Sequence, residues 1–310
     1  MNTLIVGAGG VGGYIAASLY RSGRKPTLLL RGQTAKKIRQ DGLSLTSPKG
    51  NWHGQVDVIE TASLEDIDAV DLVVITCKAY DLKGVLTDVA PIVGKETAIL
   101  PFLNGVGHVD VIGKMFNADL VWGGVAHIAA TTDGPGRIIH MNQLHTFRFG
   151  PLNGTRDTRA KELSNALVKS GVDAHLSETI QQDMWDKFVF LSALASATCV
   201  FRANVGSIVR DSTGIAWTKA VLSECEAVAR AEGFVPDPDA MSEYHSQLTD
   251  AKSTITSSML RDIRAGKTTE GGHVVGDMLA RAQRHNIPAP HLSLAASTLR
   301  IHKDMVGAFQ

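Results

Sequence analysis

The 310 residues carry 31 basic and 31 acidic side chains, a formal net charge of zero, and only 5% of them are aromatic. That balance gives no pull toward a polyanion and few rings for bases to stack on, which argues against a nucleic-acid partner. A hydrophobic fraction of 44% is enough to fill the cores of about two domains of ordinary size.

The N-terminus runs straight into a strand, with no basic leader ahead of it. No uninterrupted apolar stretch reaches the roughly 20 residues of a membrane span, so no membrane association is expected. Cys77, Cys199 and Cys225 are scattered and odd in number, which is no disulfide framework and points to a cytoplasmic protein.

The first half alternates strand and helix. Thr3 to Val6 is a short apolar run ending in glycines. Val11 to Ser22 has helical spacing, with Ile15 and Leu19 on one face, and Pro26 to Leu30 is a second apolar run. Leu72 to Thr76, Ala98 to Leu103 and Leu120 to Val125 follow as further buried runs. Continuous apolar runs with helices between them predict a parallel sheet covered on both faces. Gly123 to Arg148 carries the turn signal Asp133-Gly134-Pro135-Gly136 between β-prone segments, which predicts antiparallel strands added to that sheet. Arg156 to Ser170 reads as a helix and Val172 to Leu176 as a last strand.

From Glu178 onward the periodicity is helical. Ser177 is placed to cap the first of these helices, with Glu178 in its first turn, where the dipole favours an anion. The helix continues past Trp185 and Lys187 through the apolar stretch Phe188 to Leu194. A second is expected over Trp217 to Ala231, and a third over Met241 to about Ala265, stopped by Gly266. A fourth runs from near Thr269 to before Pro288. The fold class expected is therefore α/β: a Rossmann-type doubly wound sheet over residues 1–177, then an all-helical domain over 178–310.

Gly7-Ala8-Gly9-Gly10-Val11-Gly12 matches G-x-G-x-x-G. The pattern alone is weak, but here it follows a predicted strand, opens a helix and lies in a βαβ unit of suitable length. Gly7 allows the tight turn, Gly9 lets backbone approach a pyrophosphate, and Gly12 lets helix and strand pack closely. The helix N-terminus offers free N–H groups to the phosphates. NAD-binding sites usually place a carboxylate about 20 residues further on. This chain has Leu30, Arg31, Gly32 and Gln33 there, and no acid until Asp41. Arg31 would pair with a 2′-phosphate that a carboxylate would repel, so NADP(H) is the expected cofactor. Lys36 and Lys37 read as the solvated face of the next helix. Gly266-Lys267-Thr268 imitates the end of a P-loop, but Arg261 stands where the earlier glycine belongs and no strand precedes it. The eleven histidines form no ligand-spaced cluster with the cysteines, so no metal is expected.

Hydride transfer to a carbonyl needs a proton donor for the oxygen. Four segments offer candidates: Cys77-Lys78-Ala79, Asn104-Gly105, Asp186-Lys187-Phe188, and Ser257-Ser258-Met259 with Glu270 beyond. Together with the glycine loop, Arg31, Trp185-Asp186-Lys187 and Thr269-Glu270, their order and spacing resemble the ketopantoate reductase (2-dehydropantoate 2-reductase) family over almost the whole chain. The resemblance implies NADPH-dependent reduction of a small 2-oxo acid, 2-dehydropantoate to pantoate, in a cleft between a Rossmann and a helical domain.

By that resemblance Lys187 would be the general acid, its pKa lowered by desolvation and neighbouring cations. Glu270 would hold the cofactor ribose and the lysine, and Ser258 the substrate carboxylate. Asn104 would bridge cofactor and substrate, and Ala130 would lie against the nicotinamide. Lys78 would face cofactor or substrate; as a residue it reads equally as a solvated loop charge. The family places asparagines four and eight residues after the lysine, one turn apart on its face. Here those substrate-binding positions are Leu191 and Ala195, which suits a more apolar substrate unless Ser192 or Thr198 supplies the lost polar contacts. A related dehydrogenase of another 2-oxo or 2-hydroxy acid and a non-catalytic dinucleotide sensor are the competing readings. The helical domain has enough apolar face to permit a homodimer.

Overall fold

The computed structural model describes residues 1–67 and 69–308. The chain divides into two compact units, one of residues 1–103 and 108–183, the other of residues 104–107 and 184 onward.

Among the described residues, ten strands belong to the first unit. They are β1 (Thr3–Val6), β2 (Thr27–Leu29), β3 (Leu43–Thr46), β4 (Trp52–Gly54), β5 (Asp57–Ile59), β6 (Leu72–Ile75), β7 (Ala98–Pro101), β8 (Trp122–Thr132), β9 (Arg137–Pro151) and β10 (Asp173–Leu176). Five form a wholly parallel sheet in the order β5-β2-β1-β6-β7. The strand order reverses at β1, so the loops after β1 and β6 flank the switch point where open α/β sheets place their ligands.

Alternation along the strands explains why both faces of this sheet are covered. Ile5, Leu28, Val74 and Leu100 enter one core with Tyr14, Ile15 and Leu19 of the helix Gly10–Arg21. Their neighbours Leu4, Leu29, Val73 and Ile99 enter the other with Leu82, Val85, Leu86 and Val89 of the helix Leu82–Val89. Successive strand side chains point to opposite faces, so an unbroken apolar run such as Leu72–Ile75 feeds two cores at once.

The expected antiparallel strands form, but not as part of this sheet. Strands β8 and β9 pair antiparallel around the Asp133–Gly136 turn, where Gly134 and Gly136 both take positive φ. They belong to a second sheet in the order β10-β9-β3-β4, with β8 on β9. A single parallel bridge, Ile99 to Val121, links β8's leading edge to β7. The long strand β9 explains the split: it pairs with β3 through Arg137–Ile139 and with β10 through Thr146–Phe149, so its pairing capacity is used within the second sheet. The short strands β3, β4 and β5 lack the apolar length that marks the others, and nothing in their sequence announces them.

In the second unit the helix Ile180–Phe201, whose first turn is counted with the first unit, is apolar nearly all round and mostly buried. By length and composition it is long and apolar enough to cross a membrane, as the core helix of a globular domain also is, and it is mostly buried inside the protein. Ser177 accepts from the Thr179 N–H just before the helix starts. The second expected helix extends to Ser212–Ala231, because Asp211 caps the Thr213 and Gly214 N–H groups.

The third expected helix is instead two, Pro238–Thr249 and Ser258–Arg264, separated by a non-helical stretch. The intervening Ser253-Thr254-Ile255-Thr256-Ser257 run favours local side-chain bonds over helix, and Ser257 ends it by capping the Leu260 N–H. Gly266 stops the chain at φ +65° as expected. The fourth starts as a π turn, Gly272–Gly276, and continues as Asp277–Arg284. A short helix Val205–Val209 and the final helix Pro290–Ala308 were not anticipated, although Pro290 in the first turn is a start signal.

Candidate active site

The glycine loop takes the shape its residues dictate. Gly7 turns at φ +94° and donates to the Leu29 carbonyl at 3.2 Å. A Cβ on Gly12 would collide with the Gly7 carbonyl oxygen and with Thr76 Oγ1. A Cβ on Gly10 would lie 2.5 Å from the Ala130 carbonyl oxygen, so Gly10 is bare to let β8 pass. Ala8 and Val11 put their side chains toward the same core, leaving only backbone to face outward.

Gly9 differs: a Cβ there would meet no protein atom within 4 Å. Nothing in the fold requires glycine at Gly9, so its bareness suits close approach by a ligand. Gly9 is also the N-cap of the helix Gly10–Arg21, which has no acidic residue in its first turn to cancel its positive end. The loop therefore fits a pyrophosphate. Thr76, which the sequence places only beside Lys78 and gives no role, holds the turn from behind. Its hydroxyl donates to the Val6 carbonyl at 2.9 Å and the Gly7 carbonyl at 3.2 Å.

Arg31 N-caps the helix Gly32–Asp41 two residues after β2, exposed, with its guanidinium on the Asp88 carboxylate. Lys37 pairs with Asp41 at 2.7 Å, four residues on along the same helix, as a solvated face would. Lys78 caps the short turn Ala79–Asp81 beyond the end of β6, at the same C-terminal end of the parallel sheet as the glycine loop. Ala130 lies at an irregularity of the β8–β9 pairing.

The second unit gathers Lys187, Asn104 and Glu270 from three distant parts of the chain. Lys187 is held by its neighbours. Trp185 stacks on Phe234 at 5.1 Å, and the guanidinium of buried Arg281 lies 5.1 Å from the Trp185 ring. Glu232 and Asp277 pair with that guanidinium. Asp186 accepts from the Asp237 N–H at 3.2 Å. Trp185 and Asp186 thus fix the helix turn that carries the lysine.

Lys187 is half-buried as a residue, but its ammonium sits where water is scarce. Burial lowers its pKa from 10.5 to about 8, and the Glu270 carboxylate opposes that shift without cancelling it. An ammonium shifted so far is a few-hundred-fold stronger acid, yet still mostly protonated at neutral pH.

Buried Glu270 receives the Asn104 side-chain amide at 3.5 Å. Asn104 opens a tight turn in which Gly105 has φ +83°, as its Asn-Gly pair anticipates. That turn rests on His273: a Cβ on Gly105 would approach the His273 carbonyl oxygen to 3.1 Å and its ring to 3.4 Å. His273 is absent from the sequence-based candidates, and its only signal was its place three residues past Glu270. Ser258 is the half-buried first residue of its helix.

Leu191 is half-buried and Ala195 fully buried. Thr198 does not take over a polar role beside them, because its hydroxyl donates to the Leu194 carbonyl at 2.7 Å and contacts Ser257 Oγ at 2.8 Å. Those bonds hold the start of the Ser258 helix against the lysine helix. Ser192 is fully buried, and its hydroxyl has no partner among the described residues.

Residues 3–154 match the family model described as ketopantoate reductase PanE/ApbA, and residues 179–303 match its C-terminal companion. The chain belongs to the ketopantoate reductase family. This is a family of dinucleotide-binding oxidoreductases, so the fold class and the family resemblance read from the sequence both hold.

YkpB of Bacillus subtilis strain 168, described as an uncharacterized oxidoreductase, is 36% identical over 303 residues, covering 98% of this chain and 99% of that protein. A 2-dehydropantoate 2-reductase of Mesorhizobium japonicum is 27% identical, covering 97% of both chains. Among solved structures, 2-dehydropantoate 2-reductase from Geobacter metallireducens GS-15 superposes with a TM-score of 0.87 at 26% identity, covering 97% of this chain and 99% of that one. The ternary structure of D-mandelate dehydrogenase with NADH and anilino(oxo)acetate superposes equally well, TM-score 0.87, over 99% of this chain and all of that one. At 23% identity that likeness is one of fold alone.

Proposed function

We propose that this protein reduces a small 2-oxo acid to the 2-hydroxy acid with NADPH, and that its substrate is 2-dehydropantoate. The observation that carries the reading is Lys187, a lysine made acidic by burial and accompanied by a buried carboxylate. A sensor that only bound a dinucleotide would have no use for such a group, whereas carbonyl reduction needs one.

A bound nicotinamide dinucleotide supplies the hydride. The chain's own residues do the rest. Gly7 to Gly12, with Ala8 and Val11 between them, present bare backbone and a helix N-terminus to the pyrophosphate. Arg31 takes the 2′-phosphate through guanidinium donors that Asp88 does not occupy. Lys78 and Asn104 orient the cofactor, with Ala130 backing the nicotinamide. Lys187 gives its Nζ proton to the substrate oxygen as that oxygen gains negative charge. Glu270 holds the ammonium in place, and Ser258 donates to the substrate carboxylate.

Leu191 and Ala195 favour a second reading within the same chemistry. Both are apolar where a hydroxylated substrate would want donors, so a 2-oxo acid with an alkyl or aryl tail is the alternative. Sites built to bond a hydroxyl discriminate strongly, and apolar ones weakly. Loss of NADPH absorbance with 2-dehydropantoate and with alkyl and aryl 2-oxo acids decides between them. The higher kcat/KM for 2-dehydropantoate is expected. A preference for the apolar acids establishes the second reading, and tight NADPH binding without turnover on any of them refutes both.

A further inference from the structure

His273 touches both partners of the Asn104–Glu270 contact. Its backbone N–H donates to the Glu270 carbonyl at 3.0 Å, and its ring donates to the Asn104 carbonyl. Gly105 packs against it: a Cβ there would come within 3.1 Å of the His273 carbonyl oxygen and 3.4 Å of its ring, a tight contact. Gly107, two residues on, faces the Asp277 carboxylate at the other end of the same π turn. The four residues 104–107 thus meet the segment 270–277 through the Asn104 amide on Glu270, the His273 ring on the Asn104 carbonyl, and the contacts of Gly105 and Gly107.

The conformation beneath is itself unusual. Single π turns are uncommon and gather at functional sites, since they re-aim side chains that an α-helix would stack. Here the π turn Gly272–Gly276 places the ring under the Asn104 turn while Glu270 stays beside Lys187.

We propose that His273 is a positioning residue for the reduction: it clamps the Asn104–Gly105 turn so that the Asn104 amide stays on Glu270, and Glu270 on Lys187. The clamp acts with the imidazole neutral. Burial lowers the ring's pKa against the pull of Glu270 and Asp277, the two carboxylates that face it. A ring nitrogen is then left as an acceptor rather than a second positive charge beside an already acidified lysine.

This inference rests on the reductase reading, but it has a readout that does not depend on turnover. Hydrogen exchange followed by mass spectrometry reports the opening of residues 104–107 directly. In His273→Leu, exchange in those residues is expected to rise at least tenfold, while strands β1 and β6 keep their protection. His273→Asn, which can still donate a side-chain N–H, is expected to restore most of the protection. With substrate, kcat/KM should fall about tenfold or more in His273→Leu and stay within about threefold of the parent in His273→Asn. Unchanged exchange at 104–107 in His273→Leu overturns the clamp. So does equal loss of activity in both variants, since that marks a role in packing only. If His273→Leu does not fold, Asn104→Ala tests the far end of the contact: its kcat/KM must fall by a similar factor, and near-parental activity overturns the proposal. A parent protein that reduces no 2-oxo acid refutes the reductase reading and leaves the exchange result to judge the clamp alone.

Discussion

The glycine loop and the lysine cluster are built on opposite principles. The loop is made of backbone: six consecutive residues, a positive φ at Gly7, and three positions whose bareness has different causes. Gly12 and Gly10 are bare because protein atoms fill the space, and Gly9 because they do not. The cluster is made of side chains brought from residues 104, 187 and 270, and its chemistry lies in the environment of one ammonium. A site of the first kind tolerates almost no added atoms. A site of the second kind tolerates substitution structurally and loses function instead.

The contrast is sharpest at Lys187. Lys187→Ala is expected to leave the fold intact and to lower kcat by about 10²- to 10⁴-fold, the usual weight of a general acid. Steady-state kinetics on the purified variant checks this, and near-normal turnover would refute the assignment. Gly12→Ala should do the reverse. The new methyl has nowhere to go between the Gly7 carbonyl and Thr76, so thermal stability and dinucleotide binding should fall together. Gly9→Ala separates the two effects: melting temperature near that of the parent, with dinucleotide affinity reduced about tenfold or more by titration. If Gly9→Ala binds normally, the loop's open side is not where the pyrophosphate lies.

Arg31→Ala should lower the preference for NADPH over NADH about tenfold, the weight of a charge-assisted hydrogen bond. An unchanged ratio of kcat/KM values would mean that Arg31 serves Asp88 alone. The smallest effect concerns pH. Because Lys187 must carry its proton to act as an acid, kcat/KM for reduction should fall as pH rises through about 8. Weakening the Glu270 charge, which holds that pKa up, should move the fall to lower pH. Glu270→Gln measured across the same range shows whether it does.

The same contrast explains what could be read from sequence. The loop's spacing is local, so Gly7, Gly9 and Gly12 announce themselves, and the apolar runs of β1, β6 and β7 do the same for the parallel sheet. The split into two sheets is not local. It depends on β9 pairing with β3, some ninety residues away, and no periodicity records that. The break between Thr249 and Ser258 was written in a Ser/Thr-rich run that helical spacing of the apolar residues obscured. In the cluster, Lys187 and Glu270 came from family resemblance, not spacing. The roles of Thr76 and His273 could not be read from their places beside Lys78 and Glu270, because each acts by bracing a turn that arrives from elsewhere in the chain.

Residues 104–107 carry one last consequence. They count with the second unit although both flanking stretches count with the first. The unit that holds the lysine is therefore not a continuous cassette. A fragment beginning at Met184 keeps Lys187 and Glu270 but leaves behind the amide that Glu270 receives. Chimaeras that exchange the C-terminal half between family members are expected to work best when this tetrapeptide is transplanted with it, since the Asn104 amide and its Glu270 acceptor then come from one parent.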